Sequence, residues 1–149
     1  MAENNVFSTI ENLIHVCKDG ETGYVHAAGV VKDASLKSWF EEQSRERHRF
    51  LQELMEFATK YGDSKPDTSG TVAGTLHRAW FETKADMGLG DDSVIDSVEQ
   101  GEDAAKDAYQ KALSEGLPED VREVVARQSQ SVLAAHNRVR DLRDRRKAA

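Results

Sequence analysis

Disulfide chemistry has almost nothing to work with in this chain, which holds a single cysteine, Cys17. One thiol excludes an internal disulfide framework and a cysteine-rich zinc site. Proline is nearly as scarce, with two residues in 149, and ten glycines are too few for a collagenous or low-complexity sequence. No apolar run approaches the ~20 residues needed to span a bilayer. Residues 1–9 show no basic stretch followed by an apolar one, so no signal peptide is visible. A cytoplasmic protein without membrane contact is the expectation. No segment alternates with the two-residue period of a strand. Also missing are a phosphate-binding glycine loop, a nucleophile–base signature and a general acid/base pair, so the sequence leans away from an enzyme.

Charge, by contrast, is plentiful. Charged residues make up 32% of the chain, and 27 acidic side chains outnumber 20 lysines and arginines to give a net charge of −7. Five arginines and Lys147 against two aspartates leave residues 136–149 at +4, and therefore the rest of the chain at −11. An acidic body argues against broad nucleic-acid binding. The basic end is read as a helix C-terminus, where cations offset the dipole. A DNA-associated tail at Arg138–Lys147 is the least favoured alternative.

What is present in quantity is helical periodicity. Val6, Ile10, Leu13, Ile14, Cys17, Tyr24, Ala28 and Val31 recur at steps of three and four. Ser8 with Glu11 has the spacing of a capping box, which would start the first helix there or at Asn4 or Asn5. Gly20 and Gly23 inside this helix point to a close neighbour or a bulge. A second stripe runs from Leu36 to Tyr61, with Asp33 or Ser35 as cap and Gly62 as stop. A short pattern, Val72 to Met87, follows a loop at residues 63–70. Asp91 or Asp92 then caps a third long helix that Gly116 stops. Pro118 suits the first turn of the last one, whose stripe reaches Leu142. Short links within each pair and nearly thirty residues between the pairs predict one domain over residues 1–149. It is an all-α four-helix bundle of two antiparallel hairpins, with a long crossover carrying a short extra helix.

Polar interruptions on the apolar stripes are the candidate site. They fall near mid-helix at Glu21, at Gln43 and Arg47, at Glu102 and at Gln128, and are expected to share one buried layer. A buried unpaired charge costs several kcal/mol, so this layer needs internal pairing, water or a metal. A di-iron bundle would carry a Glu on two helices and Glu-x-x-His on the other two. Glu21 and Glu102 fit the single carboxylates, and the two His-containing motifs are missing. The preferred reading is a metal-free layer in which Arg47 neutralises carboxylates. The alternative is a divalent cation on Glu21 and Glu102, with His136 or Glu99 swinging in from the flank. Tyr24 and Tyr109 flank the layer, either as hydrogen-bond donors to its carboxylates or as core aromatics. Cys17 reads as a core thiol, and Trp80 as packing for the short helix with His77 in a local hydrogen bond.

Several stretches together resemble a known group. They are Lys18 to Tyr24 with Ala27-Ala28, Gly70 to Gly74 leading to His77 to Trp80, Glu99 to Ala105, and His136 to Val139. In this order they are similar to ferritin-like, four-helix-bundle bacterial proteins catalogued as a domain of unknown function. The resemblance covers nearly the whole chain and implies a ferritin-like fold, but no established reaction. Two readings of function result. The first is a non-enzymatic, self-associating bundle, with a dimer favoured and no cofactor, in a structural or, by analogy with ferritin-like proteins, stress-related role. The second is binding or oxidation of iron or another divalent metal at Glu21 and Glu102.

Overall fold

The computed structural model describes residues 2–62, 70 and 90–148, with side chains from residue 5 onward. Helix α1 spans Ala2–Val30, α2 Ala34–Tyr61, α3 Gly90–Ser114 and α4 Glu119–Ala148. Together they form the expected all-α four-helix bundle, with no strand among the described residues. The stripe from Val72 to Met87, with its short helix, His77 and Trp80, lies outside the described residues.

Helix ends follow local chemistry with three departures from expectation. α1 starts at Ala2, ahead of the Ser8 capping box, because the apolar stripe already begins at the buried Val6 and packing carries the helix past Ser8. α2 is capped by Asp33, whose carboxylate accepts from the Leu36 amide at 3.0 Å. α3 opens at Gly90, whose φ of +78° suits glycine. Asp91 therefore lies within the first turn rather than capping it. Its two oxygens reach instead to the α1–α2 turn, accepting from the Lys32 and Asp33 amides at 2.8 and 3.0 Å. Pro118 sits one residue before α4 and supplies the carbonyl that receives the Arg122 amide at 2.8 Å.

Contacts at the two ends fix the helix directions. Lys60 and Tyr61, at the end of α2, both bond Asp120 at the start of α4 (2.7 and 2.9 Å). At the other end Asp91 meets the α1–α2 turn, and Arg146 near the end of α4 bonds Asp92 at 2.5 Å. Hence α1 and α4 run one way and α2 and α3 the other. α2 finishes and α3 begins at opposite ends of the bundle. α1 packs along both α2 and α3, and α3 along α4, whereas α2 and α4 meet over a short stretch only. Helices α2 and α3 are thus diagonal partners.

The apolar core falls into two clusters. One holds Ile10, Leu13, Phe50, Leu54, Tyr109, Val121 and Val125 near the start of α1, and the other Tyr24, Trp39, Phe40, Ile95 and Val139 towards its end. Fully burying each large side chain contributes about 1.5–3 kcal/mol. The basic end of α4 lies against the second cluster's end of the bundle. Arg138 stacks over Trp39 at 4.5 Å from the ring centre, and Arg143 grips Glu99 through both carboxylate oxygens at 2.6 and 2.8 Å.

Candidate functional site in the polar core

Between the two clusters sits a charge. Arg47 is 1% exposed, although a guanidinium at this depth ordinarily demands a partner. The partner comes from the diagonal helix: its Nη2 donates to Glu102 Oε2 at 2.6 Å, and Glu102 is itself 2% exposed. Room for the long side chain is made by α1. A Cβ on Gly20 would stand 2.8 Å from Arg47 Nη1 and 3.2 Å from its Cγ. The glycine that weakens α1 is therefore the close approach its sequence position suggested. Tyr24 closes the site from the same helix, with its ring centre 5.6 Å from the guanidinium carbon. Burial alone would drive the Arg47 pKa down. The adjacent Glu102 carboxylate, with Tyr24 and Cys17 adding to it, more than offsets burial and holds the guanidinium above its ordinary value. Burial, reinforced by Glu102, pushes the Tyr24 phenol well up, so it stays protonated. Tyr24 Oη, Arg47 Nε and the fully buried Ser97 Oγ have no hydrogen-bond partner.

Towards the first cluster runs a second polar set. Tyr109 Oη donates to Gln128 Oε1 at 2.7 Å, leaving its oxygen to accept from the Cys17 thiol at 3.1 Å. Gln128 Nε2 passes the chain on to the Phe50 carbonyl at 3.3 Å and to Glu53 Oε1 at 3.1 Å. Glu53, at the surface, also pairs with Arg127. Thus a polarised hydrogen-bond chain links a core thiol on α1 to a surface carboxylate on α2. Burial pushes the Cys17 pKa up to about 11, against the lowering effect of its bond to Tyr109. Burial, then Cys17, raises Tyr109 well above the ordinary phenol value.

The sequence-predicted residues are only partly brought together. Gln43, Arg47, Glu102 and Gln128 are buried. Glu21 is not in their company. The inward position of α1 at this level is Gly20, and Glu21 lies about 100° round the helix, on the seam with α2. There it meets His48 Nδ1 at 2.7 Å and Lys18 at 3.4 Å, with its backbone carbonyl bonded by Ser44 Oγ at 2.9 Å. Glu99 faces Arg143, and His136 faces Asp103 at 2.5 Å and Asn137 at 3.2 Å. Among the described residues no three His, Cys, Asp or Glu side chains stand together as metal ligands would. Neither tyrosine hydrogen-bonds a carboxylate. Sequence reasoning missed Glu53 and the link from Cys17 to Tyr109. Cys17 and Tyr109 both lie on apolar stripes legible in the sequence, but that these two stripes face each other is seen only in the fold.

Residues 5–115 match the model of a protein family described as Domain of unknown function (DUF2383). The chain belongs to this family. No curated protein matches it. The DUF2383 match contains Gly20, Arg47 and Glu102, hence the whole ion-paired part of the core. Gln128 and His136, on α4, lie beyond the matched span.

Three outcomes follow from this geometry. Gly101→Ala, where a Cβ meets nothing within 4 Å, should raise stability in urea melts by about 0.5–1 kcal/mol. Gly20→Ala should show no such gain and lower stability instead, because Arg47 is too enclosed to withdraw; an equal gain at both positions would contradict the packing. Arg47→Leu should destabilise the DUF2383 bundle by about 3–5 kcal/mol by orphaning Glu102, while Arg47→Leu combined with Glu102→Leu should recover most of it. Native Cys17 should resist iodoacetamide at pH 8.5 and react readily in urea. Its folded pKa lies above the unfolded value of about 8.5, so the stability the thiol contributes is complete below that pH and lost as pH rises towards 11. Native labelling at the rate of a free thiol would refute its burial.

Proposed function

We propose that this chain is a non-enzymatic, ferritin-like bundle in which an internal ion pair stands where ferritin-like relatives place metal, serving a structural or stress-related role. One observation carries the reading: the Arg47 guanidinium lies buried between Glu102, Gly20 and Tyr24. The helix directions support the ferritin-like part. Two antiparallel pairs whose facing ends lie at opposite ends of the bundle need one long crossover, as in ferritin-like connectivity.

The donor set does not fit a di-metal carboxylate centre. Such a centre takes a carboxylate from each of four helices, with a histidine from two of them. Here α2 offers a guanidinium that has no lone pair for a cation and repels it, and α4 offers the amide of Gln128, already bonded to Tyr109 and Glu53. Glu21, the second expected carboxylate, is engaged by His48 and Lys18 on the α1–α2 seam. The stress-related role rests on analogy of fold.

Iron and zinc content, measured before and after loading with ferrous iron in air, tests this reading against iron binding or oxidation through Glu21 and Glu102. The expected outcome is no stoichiometric metal and iron oxidation at the rate of buffer alone, with Glu21→Ala/Glu102→Ala indistinguishable from the parent. About two metals per chain, lost in that double variant, would overturn it.

A further inference from the structure

Arg47 leaves part of its hydrogen-bonding capacity unused. A guanidinium offers N–H donors at Nε, Nη1 and Nη2, and the bond to Glu102 engages Nη2. Nε is shut off from bulk solvent and has no partner, and the Tyr24 hydroxyl is in the same position. Both side chains are deeply buried, at 1% and 3% exposure. They are also neighbours, with the Tyr24 ring centre 5.6 Å from the guanidinium carbon. Glu102 stands close to both. It bonds Arg47 through Oε2, and after burial its charge is the largest influence raising the Tyr24 phenol. A buried donor left unmade costs about 1–3 kcal/mol, and more where the group is charged. Two such groups side by side, one of them on a cation, point to an occupant between them.

Charge decides what that occupant is. Arg47 and Glu102 already cancel, so an anion would meet the carboxylate and a cation the guanidinium. A small neutral molecule that both accepts and donates suits the place. We infer that an ordered water molecule is a resident part of this core, bound by Arg47 Nε and the Tyr24 hydroxyl beside Glu102. The water accepts from the Nε–H and from the Tyr24 O–H, and turns a proton of its own towards the carboxylate. Internal waters of this kind make about three hydrogen bonds to groups that are otherwise unsatisfied, and such a bridge is nearly as good as a direct bond. Because Tyr24, Arg47 and Glu102 come from α1, α2 and α3, the water joins three helices where the ion pair alone joins two. Ser97 lies five residues, about 7.5 Å, along α3 from Glu102 and is not assigned to the site. The inference rests on the metal-free reading of the core and adds water to its internal pairing.

Nuclear magnetic resonance of the full chain tests it. In the parent, the Arg47 Nε–H should show a cross-relaxation peak with water whose sign marks a long-lived neighbour and not exchange with solvent. Oxygen-17 relaxation dispersion counts waters held longer than the tumbling time of the chain. By that count Arg47→Leu/Glu102→Leu should hold about one fewer than the parent. Tyr24→Phe keeps the ring, removes the hydroxyl, and should weaken the Arg47–water peak about threefold or more. No such peak in the parent, an unchanged count in the double variant, or an unchanged peak in Tyr24→Phe would each overturn the inference. A shift of the Arg47 Nε resonance when chloride is exchanged for nitrate would name an anion as the occupant and overturn it too. Stoichiometric metal in the purified chain would overturn the metal-free reading beneath it, whereas a metal-free core without the water peak overturns this inference alone.

Discussion

A guanidinium in the middle of a helix bundle is a constraint that its neighbours must answer. Arg47 carries a full charge to a place with 1% exposure, and the answer is divided among the helices. α3 supplies the carboxylate, and α1 supplies the missing Cβ at Gly20 and the ring of Tyr24. Replacing such a pair by apolar groups is often neutral or stabilising, so the pair is a poor explanation of why the bundle is stable. It is a better explanation of register. A slip of one turn, about 5.4 Å, would leave Arg47 facing a side chain and no gap, at a penalty of several kcal/mol for an unpaired buried charge. Because α2 and α3 are diagonal, this contact ties together helices whose backbones do not pack side by side.

The second polar set has a different character. From Cys17 to Gln128 every hydrogen bond has its donor on the core side, and the chain ends on Glu53 at the surface. Both titratable groups at its inner end are held protonated by burial. The thiol therefore acts as a hydrogen-bond donor and not as a nucleophile, in keeping with its place among Leu13, Ile14 and Phe50. Gln128, which reads in the sequence as a lone interruption of an apolar stripe, is the joint between α3 and α2 along this route.

Fold and site were unequally legible. Periodicity located all four helices, because a stripe of fifteen or more residues averages over single exceptions. It placed Arg47 and Glu102 in the interior for the same reason. It misplaced Glu21, because steps of three and four are both helical and the stripe admits position 20 or 21 between Cys17 and Tyr24. Only the length of Arg47, reaching from another helix, decides for glycine. Asp91 was read as a cap for its own helix, since capping is local, whereas its carboxylate serves a turn 58 and 59 residues earlier in the chain. The pairing of Tyr109 with Gln128 and Cys17 depended on which helices share a seam, and no one-dimensional pattern carries that.

The open seam follows from where the polar residues were spent. Along α1–α2, α1–α3 and α3–α4 the contacts include long runs of apolar side chains, and these seams close by burial. Between α2 and α4 the links among described residues are largely polar: Gln128 to the Phe50 carbonyl, Gln128 and Arg127 to Glu53, and Lys60 and Tyr61 to Asp120. Hydrogen bonds hold two helices at defined points but contribute little where water competes, and the space between those points is left open as a groove. Glu53 is thus solvent-accessible, whereas Gln128 and the Arg47–Glu102 pair are buried. That separation keeps the internal charge paired in a low-dielectric interior.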